Sequence, residues 1–474
     1  MANGNMGKVL FVDLTTNHID EEVLGEDVYR HFLGGYGLGV KVLYERMKPG
    51  IDPLGPENIL GFITGPLTGT GAISSGRFTV VAKSPLTGMW GDANCGGKFG
   101  VHLKRTGYDA IFFSGKSERP VYLYIDNGQA EIRDAADLWG KDTYDTERAI
   151  KAKLYDKVEV ACIGPSGEKL SLISCVITDM GRAAGRSGLG AVMGSKNLKA
   201  VVVKGTQKVQ LADRDELNRL NKTIKQATDK RPSLLLRIMK KAMMPMLPFL
   251  ARRKISFDYP SEVVAGMLSA YGTCAGTAAS AAMQDSPIKN WAGGQKDFPM
   301  SRAAKLSDDS VIRHEKAKYG CHGCPIKCGG IIEQKNGPYA LKEESHKPEY
   351  ETLSSFGSLC LNDNLESVIL ANDICNRKGL DTISAGAVIA FAIECYEEGI
   401  LTREDTGVEL KWGDHEGMIA LLRLLGKREG FGDILADGVK AAASKIGKGS
   451  ERFAIHVGGQ ELPMHDPKFT PGYG

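Results

Sequence analysis

Apolar positions in the first 208 residues come in short runs separated by glycine-rich turns, the pattern of strands more than helices. Val9–Leu14 is one such run, and Thr15-Thr16-Asn17 closes it as a turn. Val121–Ile125 and Ala130–Asp134 are strand-like and flank Asn127-Gly128, a dipeptide suited to a tight hairpin because both positions tolerate φ > 0. Ala200–Val203 is a further β-branched run. Pro66-Leu67-Thr68-Gly69 recurs as Pro85-Leu86-Thr87-Gly88, which predicts a sheet with internal pseudo-symmetry.

From residue 209 the period lengthens to that of helices. Asp213 is placed to cap a helix through Leu217, Leu220 and Ile224. Asn362 or Asp363 is placed to cap Leu365–Lys378, with Gly379 as its C-terminal stop. A second helix is predicted from Ile383 to Glu398, ended by Gly399, and two more over 414–426 and 432–445. The fold class is therefore α+β, a β-rich N-terminal domain followed by a helical one. Ser233–Lys254 carries six Lys/Arg and no acid among apolar residues, broken by Pro245 and Pro248. The default reading is a solvated basic hairpin; the other is contact with an anionic membrane surface or partner.

Composition narrows the function classes. With 474 residues, 42% apolar and 25% charged, the chain has the make-up of a soluble globular protein with room for a large core. A net charge of +3 argues against bulk electrostatic binding to nucleic acid. No run of 18 apolar residues occurs, and the first residues lack a basic stretch leading into an apolar one. Ten cysteines in such a chain point to a reducing compartment, a cytoplasm, where clustered cysteines read as metal ligands.

Cys321, Cys324 and Cys328 are spaced so that all three can turn inward on one loop. Thiolates at that spacing hold an iron–sulfur cluster or zinc, and His322 would suit a zinc site. A cubane needs a fourth ligand; Cys360, Cys375 and Cys395 qualify by residue type alone. Gly76-Arg77, Asn94-Cys95-Gly96-Gly97 and the run from Gly181 to Gly188 combine small residues with Arg or Asn. Glycine lets main-chain groups reach a ligand and arginine offers bidentate phosphate contacts, so together they suggest a flat, phosphate-bearing cofactor on the sheet. Asn376-Arg377-Lys378-Gly379-Leu380-Asp381 lies between two helices, where Asp381 can accept from a heterocycle or cap the next helix.

These residues resemble the tungsten-containing aldehyde:ferredoxin oxidoreductase family over residues 7 to 474. Gly65–Thr70, Ser75-Gly76-Arg77 and Ala93–Gly97 are similar to its N-terminal domain, and Arg182–Arg186 followed by Gly190–Lys199 is the most specific string. Cys321, Cys324 and Cys328 match its cluster motif, Pro348-Glu349-Tyr350-Glu351 the string carrying an acid near the metal, and Gly379-Leu380-Asp381 its first pterin motif.

The resemblance implies aldehyde oxidation to carboxylic acids at a tungsten (or molybdenum) bis-pyranopterin, with electrons passing through a [4Fe–4S] cluster to ferredoxin under anaerobic conditions. It implies Mg²⁺ between the pterin phosphates on the main-chain carbonyls of Asn94 and Ala183. It implies cofactor contacts from Arg77, Gly96, Gly97, Arg182, Gly185, Gly379, Leu380 and Asp381, a cluster on the three cysteines, and Glu351 beside the metal. The nearest histidine to the family's catalytic one is His465, flanked by turn residues.

The implied domains are 1–208, 209–442 and a third helical domain from 443 that is largely missing, as in a C-terminally truncated member. Asn376 stands where the pterin motif usually has Asp, and Leu370 and Asp373 stand where some members bind iron between subunits, so no such iron is expected. A homo-oligomer is compatible with the family. The alternatives are an aryl-CoA-reductase-like subunit and an inactive cofactor-binding or electron-transfer fragment.

Overall fold

The computed structural model describes residues 3–154, 157–228 and 261–469. The basic segment Ser233–Lys254 lies outside the described residues. Two compact units are present. The first is Met1–Thr223 together with Cys321–Cys324 and Asn376–Asp381; the second comprises Ile224–Gly320, Pro325–Cys375 and Thr382–Gly474.

The first unit is built on twelve strands: β1 (Lys8–Asp13), β2 (His18–Val23), β3 (Leu60–Thr64), β4 (Phe78–Lys83), β5 (Trp90–Cys95), β6 (Ala110–Ser114), β7 (Val121–Asp126), β8 (Gln129–Asp134), β9 (Glu159–Cys162), β10 (Val176–Thr178), β11 (Arg182–Ala184) and β12 (Leu198–Lys204). They form two six-stranded sheets ordered β2-β1-β6-β3-β4-β5 and β8-β7-β12-β9-β10-β11. The second order is the first with every strand advanced by six. The pairings agree as well: β1–β6 and β7–β12 are parallel, and all other pairs antiparallel. The unit is a structural duplication. The recurring Pro-Leu-Thr-Gly string is not its repeat, because both copies fall in the first half, after β3 and after β4.

Both faces of each sheet are covered, which is why the central strands read as continuous apolar runs. Leu60, Phe62, Phe78 and Val80 of the first sheet meet Leu123, Val201 and Val203 of the second in one shared core. That core also takes Phe99 and Leu103 of the helix Phe99–Arg105 and Leu189, Val192 and Met193 of the helix Leu189–Ser195. The helix Gly35–Arg46 covers the outer face of the first sheet through Leu38, Val42 and Leu43. Thr143–Leu154 covers the second through Ile150. Asn127 and Gly128 take φ of 47° and 97°, as the β7–β8 hairpin requires.

The second unit is mostly helical, with a small sheet of Glu315–Tyr319, Gly329–Ile332 and Ser345–His346. Its helix Thr382–Glu397 is apolar on every side and buried from Ser384 to Ile393. No helix among the described residues is long and apolar enough to cross a membrane. Three details differ from the sequence expectation. The helix Leu365–Lys378 is capped by Asn364, whose Oδ1 accepts from Ser367 N at 3.0 Å, with Asn362 supporting Asn364 from behind. The helix expected over 432–445 is two, Phe431–Leu435 and Gly438–Ile446, because Gly438 takes φ 84° and breaks the ladder. Finally, the segment Asn376–Asp381 belongs with the first unit although its neighbours in sequence belong with the second.

Candidate active site

In the first unit, β5 and β11 are sheet edges and lie beside each other. Register makes their residues equivalent: Asn94 pairs with Thr79 of β4 as Ala183 pairs with Ile177 of β10, and Cys95 and Ala184 occupy the next pair in each. Asn94 and Ala183 are thus related by the duplication, and so are Gly96 and Gly185. An edge strand leaves half its main-chain groups without a ladder partner, which suits it to hold a ligand.

Arg77 lies against Asn94: its Nη2 donates to the Asn94 carbonyl at 3.0 Å and its Nε meets Asn94 Oδ1. The carbonyl keeps a second lone pair for a cation. Arg182 is buried, at 9% exposure, close to Gly96 and Gly97. A Cβ on Gly96 would fall 2.6 Å from Cys321 Sγ and 3.3 Å from Arg77 Nη1, so only glycine fits there. Gly97 takes φ 106°, and a Cβ on it would fall 1.9 Å from Asp179 Oδ2. Burial, then the Asp179 charge, pushes the Cys95 thiol up to about 12.

The two segments that join this unit from downstream dock at matching places on the two halves. His322 N donates to Gly97 O at 3.1 Å, and His322 packs on Gly76. In the other half Ser174 bridges Leu380, Cys175 N donates to Gly379 O at 2.9 Å, and Arg186 pairs with Asp381 at 3.3 Å. Leu380 is 1% exposed, so it packs, and any contact it makes to a cofactor is through its main chain. Asn376 is buried with no hydrogen-bond partner for Nδ2. An unmatched buried donor costs on the order of 1–3 kcal/mol, so it is a group awaiting an acceptor.

Cys321, Cys324 and Cys328 are half-buried, whereas the other seven cysteines are buried. Ser74 N donates to Gly323 O at 3.4 Å, and Ser74 Oγ lies 3.5 Å from Cys324 Sγ. The donor chemistry suits a cluster. Among the described residues, however, no three His, Cys, Asp or Glu side chains converge as a ligand set. Of the fourth-ligand candidates, Cys360 donates to Ser355 O at 3.3 Å, and Cys360, Cys375 and Cys395 are each 1% exposed or less.

In the second unit, Glu351 sits in the first turn of Tyr350–Ser355. Its Oε2 accepts from Met464 N at 2.8 Å and its Oε1 lies 3.9 Å from His465 Nε2. The other ring nitrogen, Nδ1, is 3.2 Å from both carboxylate oxygens of Asp285. The ring stacks on Tyr350 at 4.9 Å, and the Tyr350 hydroxyl donates to Met464 O at 2.7 Å. The structure therefore brings Glu351 and His465 together and adds Asp285 and Tyr350, which the sequence did not single out. Asp285 fixes the imidazole so that Nε2 faces Glu351, an arrangement that can hold or pass one proton.

The fold is similar to that of the active-site complex BamBC of benzoyl coenzyme A reductase in complex with 1,5-dienoyl-CoA. The match has a TM-score of 0.81 and 31% identity, over 98% of this chain and 67% of that one. The class so defined is an oxidoreductase. Family models described as aldehyde ferredoxin oxidoreductase, N-terminal domain, and the same family's domains 2 and 3 match residues 9–205 and 252–474, and the chain belongs to the aldehyde ferredoxin oxidoreductase family.

Among its relatives is the tungsten-containing aldehyde ferredoxin oxidoreductase of Pyrococcus furiosus, 38% identical over 99% of this chain and 72% of that protein. Another is the WOR-like subunit of an aliphatic sulfonate oxidoreductase of the same organism, 33% identical over 97% and 71%. The chain spans about 72% of the length of the tungsten-containing relatives it matches.

Proposed function

We propose that this enzyme oxidises small aldehydes to carboxylic acids at a tungsten (or molybdenum) bis-pyranopterin, passing electrons through a [4Fe–4S] cluster to a ferredoxin. One observation carries the reading most directly: the two sheet edges lie side by side and present Asn94 and Ala183 at equivalent positions, a cradle with the symmetry of two like halves of a cofactor. The names of the relatives support the metal, the aldehyde and the ferredoxin. Ten free thiols suit a reducing, anaerobic cytoplasm.

The residues present fit the group. The Asn94 and Ala183 carbonyls would take Mg²⁺ between the pterin phosphates. Arg77 and Arg182 would hold phosphate or pterin edges, and glycine at 96, 97 and 185 lets the ligand lie close to the backbone. Asp381, with Gly379 and Leu380 beside it, would accept from one pterin, and the unmatched Asn376 Nδ2 would donate. Cys321, Cys324 and Cys328 would hold the cluster. When bound, the metal centre supplies polarisation of the carbonyl and the two-electron sink. The chain's own part is proton handling. Oxidation of an aldehyde by water releases two protons with its two electrons; Glu351 would take the one from the attacking water and His465, oriented by Asp285, would move it on, while the other leaves to solvent.

Glu351→Gln is therefore expected to lower the rate of aldehyde-dependent viologen reduction, measured anaerobically, by about a hundredfold or more. Metal content should stay unchanged. Metal-loaded parent protein that reduces no viologen with any small aldehyde would contradict the reading. The likeness to the benzoyl-CoA reductase complex favours a second reading, a reductase subunit acting on aryl-CoA thioesters. Consumption of benzoyl-CoA by protein inert toward aldehydes would select it.

A further inference from the structure

A separate cleft of about 420 Å³ opens in the first unit, and none of its lining residues is among those assigned to the cofactor. Arg105 at the end of the helix Phe99–Arg105, Lys208 just past β12, and Arg214 at the start of the helix Arg214–Thr228 all line it, and among the described residues no acidic side chain does. Among the described residues these three cations have no carboxylate partner. The acids nearest in sequence are otherwise engaged: Asp213 Oδ1 accepts from Glu216 N at 2.9 Å, and Glu216 pairs with Arg219 at 2.6 Å. Asp215 follows Arg214 but does not line the cleft.

The turn Gly69-Thr70-Gly71, with φ of 78° and 90° at its glycines, also lines it. It is held from several sides. Arg105 Nη2 donates to Gly69 O at 3.3 Å, Thr70 Oγ1 to Leu67 O at 2.6 Å, and Asn221 Nδ2 to Gly71 O at 3.0 Å. Asn221 Oδ1 also accepts from Ile73 N at 3.0 Å. The cleft is thus built before any ligand arrives. Three like charges facing one concave space repel one another, and a compact anion relieves that repulsion while gaining charge-assisted hydrogen bonds. The volume suits a ligand of sugar-phosphate size.

We propose that this cleft is a binding site for a phosphate-class dianion, either free phosphate or the phosphate group of a small metabolite. Arg105, already bound to Gly69 O, is its anchored ligand, and Lys208 and Arg214 complete it.

The test is calorimetric titration of the purified holoenzyme at low ionic strength with inorganic phosphate and, separately, with glycerol 3-phosphate. One saturable site is expected. Lys208→Met, at an exposed position, should weaken it about threefold or more, and Arg105→Met about tenfold. Lys116→Met, another exposed lysine, should leave it unchanged. Tighter binding of the ester assigns the site to a phosphorylated metabolite, and equal binding assigns it to free phosphate. Absence of saturable binding by either probe overturns the proposal. So does affinity that Lys208→Met and Arg105→Met leave untouched. Aldehyde oxidation does not enter the readout, so this proposal and the proposed function fail separately.

Discussion

At the scale of single residues, the Glu351–His465–Asp285 group was legible in part. Glu351 stood in a recognisable string, and His465 was visible only as the nearest histidine in a turn. Asp285 lies 180 positions from the ring it orients, a separation that no local pattern spans. Its role makes a distinct prediction. Asp285→Asn keeps the shape but lets the imidazole turn or change tautomer, so the rate should fall about tenfold to a hundredfold with KM near the parent value, and the pH–rate profile should shift. An unchanged pH profile would leave Asp285 a merely structural neighbour.

Glu159 gives a second residue-scale test. Burial, reinforced by the Asp179 charge, raises its carboxyl from 4.5 to about 7, and its Oε2 has no hydrogen-bond partner. The folded state therefore holds a proton that the unfolded chain has lost between those two values. Stability contributed by the neutral form is full below the unfolded pKa and is lost as pH rises through the folded one. Glu159→Gln should accordingly raise Tm at pH 8 by the equivalent of about 2 kcal/mol and change it little at pH 5. Thermal melts at the two pH values check this, and equal shifts at both would refute it.

At the scale of elements, the runs at Val9–Leu14 and Ala200–Val203 and the Asn127-Gly128 hairpin were readable because double burial and a tight turn leave strong local signals. Caps were less so. Asn362, Asp363 and Asn364 are chemically alike, and only the hydrogen bond to Ser367 N tells them apart. The glycines ending β5 were legible as a cofactor signal, but the structure adds a reason of another kind, the closeness of Cys321. Gly96→Ala would push a methyl to 2.6 Å from its sulfur. That variant should lose iron per chain and about 1–2 kcal/mol of stability, since the Cys321 sulfur must give way to the methyl. Parent-like iron content would contradict that placement.

At the scale of the whole molecule, the duplication of β1–β6 as β7–β12 was not legible. Its two halves share topology and register with no repeated string, and the one string that does repeat lies inside a single half. Topology is written in pairings between distant strands, which composition and period do not encode. What the sequence did carry was the family, because its Gly/Arg and Cys strings are each compact enough to be recognised. The architecture then explains why those strings are scattered: each half of the duplicated scaffold contributes one edge, and each receives one segment from far downstream.

The most direct test of the account is metal and pterin analysis of protein purified anaerobically from cells supplied with tungstate and molybdate. The account predicts one group-six metal per chain together with pterin in twofold excess over that metal, and iron besides. Protein that contains neither a group-six metal nor pterin would contradict it.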